Sequence, residues 1–129
     1  MHRSKMNLYV AAVLLLGFLL RFGMIHIDPF LQTWDEHFHA LVGKNLLVNL
    51  SKPVLLQNPF LPYDFHDWSS NHIWVHKQPF FLLQIAGSIK LFGNTVFAVR
   101  FPSLVLATLT ILLTYRIAYF WLKFLRIRV

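Results

Sequence analysis

Residues 8–27 read LYVAAVLLLGFLLRFGMIHI, a run that is apolar apart from Arg21 and His26. At about 1.5 Å per residue, a helix of this length spans the roughly 30 Å hydrocarbon core of a bilayer. A cleaved signal peptide is the competing interpretation. The run is long for the apolar part of such a peptide, and Ile27-Asp28-Pro29 offers no small-residue cleavage site. We therefore expect residues 8–27 to form a first transmembrane helix, preceded by a basic cytoplasmic start at residues 1–7.

The composition favours the same class of protein. Of the 129 residues, 57% are hydrophobic and only 13% are charged, which is little charge for covering the surface of a soluble domain. The chain has no cysteine, so disulfides and thiolate chemistry are excluded. The net charge of +7 resides mostly at the ends of apolar runs rather than in a basic stripe with aromatic residues. This pattern indicates topology signals and contacts with membrane lipids, not nucleic-acid binding.

Two further apolar runs follow in the second half of the chain. We predict a transmembrane helix at 78–93, a cytoplasmic link at 94–100, a third transmembrane helix at 101–122 and a basic tail at 123–129. The expected fold is an all-α membrane protein with about three transmembrane helices. Amphipathic interfacial helices are expected in its first extracytoplasmic loop, residues 28–77.

The number of crossings leaves one conflict with the distribution of positive charge. With three crossings, Lys90 and Arg100 flank a cytoplasmic hairpin, as the positive-inside rule favours, but the basic tail is then outside. If the second run were instead re-entrant, the tail would be cytoplasmic. We favour three crossings because Lys90 and Arg100 otherwise have no topological role.

The acidic residues are segregated between the first apolar run and the second. The chain has five carboxylates, and all lie in this window: Asp28, Asp35, Glu36, Asp64 and Asp67. An amphipathic helix of about four turns is predicted in this window, with Asp35 at its N-terminus and with His39 outside its apolar face. That face is formed by Phe38, Leu41, Val42, Leu46 and Asn49 or Leu50. A carboxylate at the edge of a membrane is costly to desolvate, which makes the adjacent pair Asp35 and Glu36 the first candidate site.

Each candidate residue has a simpler alternative. Asp35 and Glu36 could accept a proton from an attacking hydroxyl, or they could merely complement the dipole of a helix N-terminus. Lys77 could hold the phosphate of a lipid-linked substrate, or it could be a lysine that reaches from a helix start to the membrane surface. Arg100 is interpreted as a topology charge.

Histidines raise the possibility of a divalent metal. Asp35 and His39 are four residues apart, as are His72 and His76, and such pairs can ligate zinc from one helical face. No established zinc motif is present in the sequence, and interfacial histidines also serve as amphipathic anchors. We therefore predict no cofactor and no metal ligand, and keep a divalent metal as an alternative.

Short motifs along the chain occur in a characteristic order. They are Arg21-Phe22-Gly23, Trp34-Asp35-Glu36, His39-Ala40, His76-Lys77-Gln78-Pro79-Phe80, Lys90-Leu91-Phe92-Gly93 and Arg100-Phe101-Pro102-Ser103-Leu104. Together they resemble the N-terminal part of the polytopic GT-C glycosyltransferases, above all the dolichyl-phosphate-mannose protein mannosyltransferases and the bacterial lipid A aminoarabinose transferases. The resemblance covers nearly the whole chain.

The resemblance implies a polyprenyl-phosphate sugar as donor and a lipid or protein hydroxyl as acceptor, hence lipid A modification or protein glycosylation. It implies that Asp35 is the essential acid, with Glu36 beside it, and that Lys77 lies near the donor phosphate. The chain departs from the family at Gln78, where proline is usual, and it has far fewer spans. We therefore expect an incomplete N-terminal module that does not turn over alone.

Three hypotheses on function follow from the sequence. The first is the N-terminal module of a membrane glycosyltransferase that acts at the extracytoplasmic face of a multi-pass protein, most simply in a bacterial inner membrane. The second is a small non-enzymatic membrane protein that interacts through its helices. The third is a membrane protein that binds metal through its histidines. The first hypothesis requires Asp35 and Lys77 to converge.

Overall fold

The structure is a computed structural model that describes the backbone of residues 2–67, 69 and 71–127, and the side chains of 7–67, 69 and 71–125. The described residues form helices and no named strand, which confirms the all-α fold class. The four helices are α1 (His2–Ile27), α2 (Asp35–Leu46), α3 (Pro79–Phe92) and α4 (Val96–Ile127). The chain divides into two compact units, Asp28–Pro102 on one hand and α1 with residues 103 onward on the other.

Two of the helices in the described part of the chain are long and apolar enough to cross a membrane. These candidate spans are Asn7–Ile27 and Val96–Leu125. Helix α3 is apolar as well, but its 14 residues extend only about 21 Å, which is short of a hydrocarbon core. The expectation of about three transmembrane helices is therefore reduced to two candidate spans.

The start of α4 also differs from the prediction. A third transmembrane helix at 101–122 would have Pro102 in its first turn, but α4 begins at Val96, so this proline lies inside the helix. The Thr95 hydroxyl accepts a hydrogen bond from the Ala98 N–H at 3.1 Å, which satisfies one of the free donors of the first turn. The early start extends α4 into the unit that contains α2 and α3.

Helices α2 and α3 pack together and form the core of the unit Asp28–Pro102. The contact face of α3 contributes Leu82, Ile85, Ala86 and Ile89, all buried. Gly43 permits a close approach of the two helices, since a Cβ added there would lie 2.7 Å from the Ile85 side chain. This face accounts for part of the apolar character of α3, whereas Phe80, Leu91 and Phe92 on the same helix remain exposed.

The segment between α2 and α3 is held by a few specific hydrogen bonds. An isolated antiparallel bridge joins Val54 to Ile73, and the Trp74 N–H donates to the Pro53 carbonyl at 2.8 Å. The Asn45 side-chain amide donates to the carbonyls of Val54 and Leu55, which ties the segment to the end of α2. These bonds bring Trp74, and the chain that leads to Lys77, back to α2.

Candidate active site

The backbone turns sharply immediately before the acidic pair. Trp34 has φ 77° and ψ −102°, a conformation that costs a residue with a bulky side chain on the order of 1–2 kcal/mol. Its carbonyl nevertheless accepts the first bond of α2, from the Phe38 N–H at 3.1 Å. The turn places both Asp35 and Glu36 in the first helical turn, where the partial positive charge of the helix N-terminus favours carboxylates.

Asp35 and Lys77 form an ion pair across the unit. The Lys77 Nζ lies 3.8 Å from the Asp35 Oδ2, although the two residues are far apart in sequence. Pro79, the first residue of α3, follows Lys77 closely, so the packing of α3 on α2 brings the lysine to the start of α2. Both side chains remain accessible, with exposed fractions of 72% for Asp35 and 38% for Lys77. The structure thus brings together the two residues that the first hypothesis requires to converge.

His39 lies one helical turn after Asp35 and is buried. Its ring contacts the Trp74 ring at 5.6 Å between centroids and the edge of the Phe81 ring at 5.0 Å. Its Nε2 atom has no hydrogen-bond partner among the described residues. Burial lowers the pKa of His39, because the charged ring would lose its hydration between two aromatic side chains. The neutral imidazole therefore forms part of the wall between α2 and α3.

The prediction that His39 lies outside the apolar face of α2 is wrong, and α2 ends at Leu46, before Asn49 and Leu50. The buried residues of α2 are His39, Val42, Gly43 and Leu46, whereas Leu41 is 39% exposed. The i, i+3, i+4, i+7 spacing of these four residues is helical, so the signal was present in the sequence. A histidine and a glycine obscured it, because neither is scored as strongly apolar.

Glu36 has a different set of partners from Asp35. The Arg100 guanidinium donates to both of its oxygens, from Nε to Oε1 and from Nη2 to Oε2, each at 2.9 Å. The Gln32 N–H also donates to Oε2, at 2.8 Å. A bidentate arginine–carboxylate pair is among the strongest charge-assisted hydrogen bonds. Both Glu36 oxygens are therefore engaged, and Asp35 is the more accessible carboxylate of the pair.

Arg100 also binds the segment that precedes α2. It donates to the Asp28 carbonyl at 2.7 Å, to the Asp28 Oδ2 at 3.2 Å and to the Phe30 carbonyl at 2.8 Å. Its side chain is only 13% exposed. We call Asp28, Glu36 and Arg100 the arginine cluster. It fastens the start of α4 to the residues between α1 and α2.

The arginine cluster holds its carboxylates in the ionised form. The Arg100 hydrogen bonds are the largest cause that lowers the pKa of Glu36 below its ordinary value, and the Gln32 N–H adds to them. The pKa of Asp28 is also lowered, chiefly by the Gln32 side chain, which donates to Oδ2 at 2.7 Å, and by the Phe30 N–H. Glu36 is consequently a poor candidate for taking up a proton at neutral pH.

The arginine cluster bears on the predicted topology. An extracytoplasmic loop at 28–77 and a cytoplasmic link at 94–100 would place Glu36 and Arg100 on opposite sides of a membrane. Hydrogen bonds of 2.9 Å between them are incompatible with that arrangement. The interpretation of Arg100 as a topology charge is corrected accordingly, because the residue is a nearly buried hydrogen-bond donor.

The histidines do not form a metal site within the described residues. Those residues contain no group of three or more histidine and carboxylate side chains that could hold an ion. The His72 ring instead bonds the Leu56 carbonyl, and His39 lies among aromatic rings. The alternative of a divalent metal thus gains no support from the geometry.

Known proteins give no information about the site. No family model, no curated protein sequence and no solved structure matches this chain. The arrangement at the start of α2 consists of one accessible carboxylate, one flexible cation and a buried aromatic wall. Such a set can accept a proton from a hydroxyl and bind an anionic group at adjoining positions.

Proposed function

We propose that this chain is the N-terminal module of a membrane glycosyltransferase. In this proposal the enzyme moves a sugar from a polyprenyl-phosphate donor to an acceptor hydroxyl at the extracytoplasmic face of a multi-pass protein of the bacterial inner membrane. The observation that carries the proposal is the 3.8 Å approach of Lys77 to Asp35. These residues match the acidic and lysine motifs of the resemblance. Asp35 is the first residue of α2, whereas Lys77 lies in the chain just before α3.

The chemistry requires one base and one anion-binding group. As the acceptor oxygen bonds to the anomeric carbon, its proton passes to the Asp35 carboxylate. The bond from the anomeric carbon to the phosphate oxygen breaks, and the electron pair leaves with the phosphate. The phosphate departs as an anion, so no second acid is needed to protonate it. Direct displacement inverts the anomeric centre.

Lys77 supplies the complementary charge. Its ammonium group faces Asp35, and an exposed ion pair of this kind is worth only about 0–1 kcal/mol. A donor phosphate can therefore displace the carboxylate at little cost. The lysine stem is flexible, so the ammonium group can follow the phosphate while Asp35 turns to the acceptor.

The arginine cluster has a supporting role in this proposal. It fixes Glu36, and with it the first turn of α2, so that the neighbouring Asp35 is held at a defined position. Catalytic groups need such rigid support, because small displacements of a base cost much of its effect. Glu36 is accordingly proposed as a positioning residue rather than as a second base.

The arrangement of charge agrees with two crossings. If α1 and α4 both span the membrane, the basic start at 1–7 and the basic tail at 123–129 lie on one side, as the positive-inside rule favours. The window with all five carboxylates then lies on the other side, together with Lys77 and Arg100. This topology removes the conflict that three crossings create.

Donor binding tests the role of Lys77 directly. We would measure the binding of undecaprenyl phosphate to the full chain in lipid nanodiscs, and compare Lys77→Ala with Lys52→Ala, a matched exposed lysine of the same loop. We expect roughly tenfold weaker binding for Lys77→Ala, since a charge-assisted hydrogen bond contributes about 1.5–3 kcal/mol. Asp35→Asn should bind at least as tightly as the unmodified chain, because it releases Lys77. Equal affinities for both lysine variants would refute the assignment.

Turnover tests the role of Asp35. In an enzyme that contains this chain together with its remaining spans, Asp35→Asn should lower turnover by about 10²–10⁴, the usual contribution of a general base. Donor binding should persist in the same variant. Near-normal turnover would place the base elsewhere.

A further inference from the structure

A charged side chain lies deep inside the first candidate span. Arg21 is an interior residue of α1, and its Nη1 donates to the Gly17 carbonyl at 3.1 Å. Gly17 is equidistant from the two ends of the span Asn7–Ile27, about 15 Å from each. The guanidinium therefore points away from the nearer end of the helix, at Ile27, and towards the middle of the span.

Arg21 lines an open groove of about 590 Å³ between α1 and α4. The other lining residues are Ala107, Thr110, Ile111, Thr114 and Tyr115. Thr110 stands near the middle of the second span, Val96–Leu125, so the polar part of the groove is at mid-depth on both helices. A Cβ at Gly17 would lie 2.6 Å from the Ile111 side chain, which shows how closely the two helices approach beside the groove.

The charged hydrogen-bond donor of the groove is Arg21, and Tyr115 adds a neutral hydroxyl. The hydroxyls of Thr110 and Thr114 each donate at 2.8 Å to the backbone carbonyl one turn earlier. The guanidinium has several N–H groups, and the structure engages one of them with the Gly17 carbonyl. A charged side chain in the hydrocarbon core is costly unless an anion or a polar cavity compensates it.

The guanidinium is turned away from the lipid phosphates, because these lie outside the hydrocarbon core whereas the Gly17 carbonyl lies at the middle of the span. A second copy of this chain cannot supply the anion within the membrane either, since all five carboxylates lie between residues 28 and 67. We infer that the groove binds a further transmembrane helix that carries an aspartate or glutamate near its midpoint. This inference rests on the membrane-spanning part of the proposed function and concerns a different site.

The test is helix association in a bilayer. The full chain, labelled with a fluorescent donor, is placed in phosphatidylcholine vesicles with an acceptor-labelled Leu/Ala transmembrane peptide that carries one glutamate at its midpoint. The matched peptide has glutamine there. We expect the glutamate peptide to bind about three- to thirtyfold more tightly, which is the range of polar contacts between membrane helices. Arg21→Met should abolish this preference. Arg116→Met, which changes an arginine of the second candidate span that does not line the groove, should preserve it.

Several outcomes would overturn the inference. They are equal binding of the two peptides, a preference that survives Arg21→Met, and a preference lost in Arg116→Met alone. A glutamate preference that disappears when phosphatidylglycerol is added would assign the guanidinium to lipid. Energy transfer between two labelled copies that depends on Arg21 would assign the groove to self-association. Resistance to alkaline carbonate extraction is checked first, because a chain that is extracted would refute the membrane topology as well.

Discussion

Asp35 and Glu36 are adjacent residues in the first turn of α2, and their surroundings differ in almost every respect. Asp35 is 72% exposed and faces one flexible lysine at 3.8 Å. Glu36 is 28% exposed and receives two 2.9 Å hydrogen bonds from a nearly buried arginine. Neighbouring positions on a helix point about 100° apart, so one carboxylate meets the segment before α2 and the other meets the segment before α3. One acid is thus fixed to the fold, and the other is left available for chemistry.

The comparison depends first on Glu36 and Arg100 lying on the same side of the membrane, and labelling from outside the cell gives the largest effect. Cysteines introduced singly at Ser51, Ser69 and Asn94 should all react with an impermeant thiol reagent in intact cells, because Arg100 and Glu36 must lie on one side to bond. Labelling of Ser51 and Ser69 but not Asn94 would mean that α3 crosses the membrane and that the arginine cluster does not form. Labelling of none before lysis would invert the proposed orientation.

Removal of the two cations should give unequal losses of stability. We expect Arg100→Met to lower the free energy of local unfolding of residues 28–77 by roughly 3 kcal/mol, because it leaves carboxylates without their partner. Lys77→Met should cost less than about 1 kcal/mol, as for an exposed pair. Native-state hydrogen exchange measures both. Similar losses in the two variants would contradict the distinction between the sites.

A low pH should weaken the arginine cluster, and it should lower the stability of the fold as Arg100→Met does. The folded-state pKa of Glu36 is lowered from its ordinary 4.5, so the unfolded chain binds protons first as the pH falls. The stability that Glu36 contributes is therefore present above pH 4.5 and is lost as the pH falls through its lowered pKa. Glu36→Gln should remove this part of the acid dependence, whereas Asp35→Asn should leave it.

The backbone turn at Trp34 precedes Asp35 and Glu36, and two substitutions at this position test its conformation. Trp34→Gly and Trp34→Ala both remove the indole ring, but only glycine adopts φ 77° without steric cost. We expect the glycine variant to be more stable than the alanine variant by about 1–2 kcal/mol in the same exchange experiment. If residue 34 did not adopt a positive φ, the ordinary helical preference for alanine over glycine would reverse the order of the two variants.

His39 provides the smallest test, which concerns the wall beside Asp35. Its folded-state pKa lies below the ordinary 6.5, so stability is full above that pH and is lost as the pH falls through the lowered pKa. The nearby charges are Asp35, Glu36 and Lys77. His39→Phe keeps the contacts with Trp74 and Phe81, and it should flatten this part of the pH profile.

Much of the fold could be predicted from the sequence, because the length of an apolar run and its helical periodicity are local properties. The two long runs became the two candidate spans, and the apolar second run became a helix that begins at Pro79, where proline suits a first turn. The second run was expected to cross a membrane, but its helix is shorter than the candidate spans of the described residues. One face of this helix is buried within the unit Asp28–Pro102, and hydropathy does not distinguish protein from lipid as the apolar environment.

The sequence by itself determined the all-α class, the two candidate spans and the segregation of every carboxylate between them. It also singled out Asp35 and Lys77, whose catalytic and phosphate-binding roles stay predictions. Only the tertiary structure decided that Lys77 meets Asp35 and that Arg100 meets Glu36. These pairs join segments separated by dozens of residues, and their formation depends on the packing of α2 against α3 and on the early start of α4. Helical periodicity specifies which residues share a face, whereas the partner of that face is set by long-range packing.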